Sequence, residues 1–235
     1  MALTGLSTQT EFLPTVRFNA REGIFSRADR VMDSAGNYSN ELTDITAELA
    51  EQGVLIDVAN IEIGWIKFEG GVDITTQHHS LGLPGSRPSD WHKEGVKLEL
   101  WLPQDIAEGA PLREWTHTSR AVINSVNDLH TAWESAVAAD RLSTPAVDGA
   151  TPAIDDSQVP HVMVSIEAVK TKHGTFKKPV LTLKQFVARP IDWTIKPIVA
   201  AAPSVPDTAP QMAAAGAFGS AAPPASAAKD DDLPF

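Results

Sequence analysis

The chain reads as a mainly β domain, a small five-stranded barrel with one helix inside the strand order, followed by a disordered C-terminal tail. Three observations lead there. Apolar residues alternate with polar ones in several separate stretches, the mark of half-buried strands. One later stretch repeats its apolar residues at helical spacing. Beyond residue 198 the composition changes to alanine and proline.

Val16, Phe18 and Ala20 alternate with Thr15, Arg17, Asn19 and Arg21, giving a first strand with a basic outer face. A second strand region runs from Val54 to Glu69, broken near Ala59-Asn60. Residues 70–95 carry Gly70, Gly71, Gly82, Pro84, Gly85 and Pro88, so a long inserted loop is expected there. Val96, Leu98, Leu100 and Leu102 alternate with Lys97, Glu99 and Trp101 in a third strand, which Pro103 ends. Val122, Val126, Leu129, Trp133 and Val137 then share one helix face, with Thr116, Thr118 or Ser119 as its N-cap. Residues 141–160, with Pro145, Pro152 and Asp155-Asp156, read as a loop. Val162, Val164, Ile166 and Ala168 form a fourth strand. Leu181, Leu183 and Val187 lie on one side of a fifth, opposite Thr182, Lys184 and Phe186. Three strand regions, a helix and two strands is the element order of an oligonucleotide-binding (OB) fold, a Greek-key barrel whose strands 2–3 and loops 1–2 and 4–5 bind single strands. The expected organisation is an OB-like domain over 1–198, a tether over 199–229 and a tip over 230–235.

The tether expectation rests on composition. Residues 199–228 hold thirteen Ala and five Pro with Asp207 as the one charge, too little apolar surface to fold and too many prolines for a helix or sheet. The chain has no cysteine, which excludes disulfides, thiolate zinc sites and cysteine nucleophiles and fits a reducing compartment. No basic-then-apolar leader and no membrane-length apolar run is seen, so a cytoplasmic location is expected. The net charge is −11, which by itself argues against a nucleic-acid binder. The charge is polarised, however. Residues 31–60 hold six carboxylates and no Lys or Arg, whereas residues 161–196 hold seven Lys or Arg against two carboxylates.

The last residues are Asp230-Asp231-Asp232-Leu233-Pro234-Phe235. This tip resembles that of bacterial single-stranded DNA-binding proteins and of several phage counterparts, where acidic residues precede a hydrophobic-Pro-Phe end. The first 198 residues look more like the divergent phage type than the bacterial one. The resemblance implies a protein of a bacterial or phage-infected host cell. It would coat and protect single-stranded DNA and recruit replication, recombination and repair proteins through the tip. The chemistry suits docking: the Phe235 ring fills an apolar pocket, its carboxylate pairs with a cation at the rim, and Pro234 lowers the entropy lost.

Single strands are held by basic grooves and aromatic platforms. Lys170, Lys172, Phe176, Lys177 and Lys178 surround Gly174 between the fourth and fifth strands, on a loop that OB folds use for DNA. Lys184 and Phe186 continue that strand's polar face, while Arg17, Arg21, Lys97 and Trp101 are further candidates. Trp65 and Trp133 are assigned to core packing. His78, His79 and His92 lack fixed ligand spacing, so no metal is expected. No catalytic motif is recognisable, so neither an enzyme nor a cofactor is expected. Subunit number stays open, with a homo-oligomer compatible with the sequence. The alternative function is an acidic interaction adaptor that uses the tip without binding DNA. A nuclease or annealing enzyme with a borrowed tail is a third.

Overall fold

A computed structural model describes residues 13–32, 34–143, 157–172 and 174–194. The tether and the tip lie outside the described residues. The strands are β1 (Thr15–Asn19), β2 (Ile24–Met32), β3 (Tyr38–Asp44), β4 (Val54–Ile56), β5 (Glu62–Lys67), β6 (Asp73–His78), β7 (Lys93–Trp101), β8 (Leu112–His117), β9 (Gln158–Thr171) and β10 (Gly174–Ala188). Among the described residues three α-helices intervene: α1 (Thr46–Gln52), α2 (Gln104–Ala107) and α3 (Arg120–Ser143). The protein is mainly β, and its strands form one mixed sheet ordered β10-β9-β4-β7-β8-β1-β2-β3, with β5 and β6 branching from β7.

Most neighbours are antiparallel, and β1 beside β8 is parallel, pairing Thr15 with Glu114. The sheet curls until its distant strands share one interior. Val16, Phe25, Ile56, Leu100, Trp115, Val164 and Leu181, each from a different strand, line the same small apolar cavity. At the far edge, the Lys177 amide donates to the Ala20 carbonyl at 2.7 Å, tying β10 to the β1–β2 turn. That edge pairing stops at once, and Pro179 is the reason. Two residues on, it faces the same way as Lys177 but has no N–H to offer. Its carbonyl instead accepts from Ser125 Oγ on α3 at 2.6 Å.

The expected helix stripe is buried: Val122, Val126, Leu129 and Trp133 pack into the core, and Val137 packs against it. The expected loop over 70–95 is only partly a loop. It contains β6, paired with β5 from Glu62–His78 to Lys67–Asp73, and it runs into the start of β7. β2, β3 and β8 are further strands that the five-strand reading did not contain.

Candidate nucleic-acid interface

β9 and β10 form a long hairpin whose register sorts the basic cluster onto two faces. Lys170 lies opposite Thr175 and Ala168 opposite Lys177, so Lys170 and Lys177 share one face. Val169 lies opposite Phe176 and Glu167 opposite Lys178, which puts Phe176 and Lys178 on the other. Lys172 is exposed at the turn.

The first face meets the β1–β2 turn. Asn19 shapes that turn, its side-chain oxygen accepting from the Arg21 amide at 3.0 Å. Gly23 fits there because a Cβ would stand 2.9 Å from Lys177 Cγ and from Ile166. Arg21, exposed on this turn, is thereby brought to the hairpin face that carries Lys170 and Lys177, residues distant from it in sequence. Among the described residues no ion pair engages Lys170, Lys172 or Lys177. The second face meets α3, where Phe176 and Lys178 line a groove with Arg120, Asn124, Asn127 and Asp128. Lys178 is held by Glu167 at 3.0 Å.

Other candidates are engaged within the protein. Lys97 Nζ stands 3.3 Å from Glu62 and 3.5 Å from Glu114, its partners on the two flanking strands. Burial alone would lower its pKa, but the carboxylates of Glu114 and Glu62 outweigh burial and hold it above its ordinary value. Trp101 stacks on Trp193, with ring centroids 5.9 Å apart and planes at 26°. Trp193 is almost fully buried, and its indole N–H donates to Glu99 Oε2 at 3.0 Å. Arg189 anchors this segment through a two-pronged pair with Asp57 at 3.0 and 3.2 Å, and lies over the Trp193 ring. Sequence reasoning missed Trp193, Arg189 and Asp57, whose shared place only the fold reveals.

Arg17 is exposed on β1 opposite Ser26. Lys184 is exposed at a bulge, where the register slips between Leu183 and Gln185. That slip shifts the alternation by one residue. Phe186 therefore turns toward the core and packs against it rather than continuing the polar face. Trp133 is core, as expected, and Trp65 is half-buried with its N–H on the Pro84 carbonyl at 3.1 Å. His92 is buried between Ser89 and Asp73 at 2.8 and 3.1 Å. Among the described residues no three His, Asp or Glu side chains are placed to hold a metal ion.

Comparison with protein-family models, with curated proteins and with solved structures finds no match to this chain.

Proposed function

We propose that the protein binds single-stranded DNA without sequence preference, protects it during replication, recombination and repair, and recruits partner proteins through Asp230–Phe235. The observation that carries this reading is the convergence of Arg21, Lys170 and Lys177 on one face of the β9–β10 hairpin, with Phe176 and Lys178 on its other face, in a protein of net charge −11. Phosphates need such a local excess of cations, and the Phe176 ring, beside Lys178 and Arg120 in the groove on the other face, offers bases an aromatic surface. The tip carries the family resemblance, and its acidic, apolar character suits docking on a basic, pocketed partner.

The same proposal extends to the fold. β4–β5, β7, β8, β9 and β10 supply the strands of an OB-like barrel, with α3 between the third and fourth. The neighbours β4–β7, β7–β8, β4–β9 and β9–β10 support this assignment. β8 and β10 are then bridged by the added strand β1 rather than paired directly. In this arrangement the β9–β10 turn is the loop between strands 4 and 5.

A fluorescence titration with oligothymidine at about 0.15 M salt tests the reading. Tryptophan emission should be quenched, and duplex of equal length should bind far more weakly, since its bases cannot be stacked on. The adaptor alternative draws support from the carboxylates around Lys97, and it predicts no titration at all.

A further inference from the structure

We propose that a single strand bound at the hairpin continues along the first turns of α3 and past Arg120 into a second groove walled by Trp65, Arg87 and Lys93. This path rests on the single-stranded DNA reading above and extends it to a surface outside the hairpin. The observation behind it is that two grooves share one residue. Arg120 lines the groove with Phe176 and Lys178, and it also lines a second with Trp65, Arg87, Lys93 and Glu94.

The chemistry of the joined grooves suits a polyanion with flat bases. Arg87, Lys93, Arg120 and Lys178 face the two grooves against the carboxylates of Glu94 and Asp128, a local excess of positive charge in an acidic chain. Arg120 is the least committed of these: its side chain is 80% exposed and its contact with Glu94 is long, at 3.8 Å. A phosphate can therefore take it over at little cost. Phe176 and Trp65, one in each groove, offer apolar ring surface for stacking, and Asn124 and Asn127 add neutral hydrogen-bonding groups between. The amino end of α3 also carries the helix's partial positive charge. From Arg120 to Asp128 the helix advances about 12 Å. That length accommodates about three nucleotides at a stacked spacing of ~3.4 Å.

The test is a length series of oligothymidines, bound to the full chain and to two variants. Arg120→Glu reverses the charge at the junction of the grooves without touching the core, and Trp65→Phe keeps a ring but removes the indole. Wild-type affinity should go on rising with length until the second groove is filled. Arg120→Glu should weaken binding of short strands modestly, since Arg120 also borders the hairpin groove, lose about a further tenfold on long ones, and reach its plateau about three nucleotides earlier. Arg120→Gln should lower the slope of log K against log salt by about 0.7. Trp65→Phe should lose part of the quenching on long strands only. If wild type binds and the Arg120→Glu curve parallels it at every length, the path over α3 is wrong while the DNA-binding reading stands. If wild type binds no oligothymidine even at ~0.05 M salt, the DNA-binding reading fails and takes this path with it.

Discussion

Asp29 holds two arginines that lie inside the protein. It accepts from Arg27 Nε at 2.5 Å and from an Arg113 terminal nitrogen at 2.7 Å, and Arg113 is fully buried. The remaining guanidinium donors reach carbonyls of Ile106, Ala28, Ala107 and Ala110, while Glu108 takes another from Arg27. Two buried cations are tolerable because every partner is present. Asp29→Ala should therefore destabilise the fold by on the order of 3 kcal/mol, read as a lower urea midpoint. A loss under ~1 kcal/mol would show that the carbonyls and Glu108 suffice. Burial pushes the Asp29 pKa up, but the bonds from Arg113 and Arg27 outweigh it and hold the carboxyl below its ordinary value. With the folded pKa depressed, this contribution is complete above the unfolded pKa of about 3.9 and fades as pH falls through the folded value. Asp29→Asn should flatten that acid limb. Gly53 is constrained differently: φ is 78°, and a Cβ would meet His161 Nε2 at 2.6 Å and the Val162 carbonyl at 2.7 Å. Gly53→Ala should lower the melting temperature by several degrees, at about 2–4 °C per kcal/mol, because the obstructing backbone belongs to a paired strand. An unchanged melting curve would mean that the turn between α1 and β4 can move away from β9 freely.

At the level of elements, the sequence identified β1, β7, β9 and β10 by alternation, β4 and β5 as one broken strand region, and α3 by helical spacing. β2 and β8 escaped it for one physical reason. Their inward positions include Arg27 and Arg113, and a buried charge looks like a solvent-facing one when only the sequence is read. β3 escaped because it is exposed along nearly its whole length and so carries no apolar face. The candidate site was legible where it is local. Lysines around a glycine turn can be read from a hairpin, whereas Arg21 beside Lys177, or Glu62 and Glu114 around Lys97, depends on strands distant in sequence. The bulge at Lys184 left no signal either, and the two-residue period carried Phe186 to the wrong face. Lys170→Ala with Lys177→Ala should weaken oligothymidine binding and reduce the salt slope by about 1.4, two contacts at ~0.7 each. An unaltered slope in the folded double variant would remove the hairpin from the DNA path. Trp193→Ala, by contrast, should uncover Trp101 and shift tryptophan emission to the red, with a loss of stability of about 3–5 kcal/mol typical of a buried indole.

For the whole molecule, the proposed division of labour separates a binding body from a recruiting tip. Phe235→Ala keeps every charge of the tip and removes its ring, so partner capture should fail while DNA affinity stays as in wild type. Deleting Asp230–Phe235 should strengthen DNA binding modestly at low salt and have less effect as salt rises, since a tethered anion is screened just as phosphate is. Retention of the same replication proteins by Phe235→Ala would reduce the tip to a generic acidic segment. The parallel pairing of β1 with β8 bears on how the protein is made. Thr15 meets Glu114, so β1 waits for a partner synthesised 99 positions later. At about 5–20 residues per second, that wait is roughly 5–20 s. Through it Phe18 and Phe25, both destined for the interior, have no finished core to enter. The nascent chain thus offers a greasy hairpin to any holding chaperone, and translation speed between codons 20 and 117 becomes a control on yield.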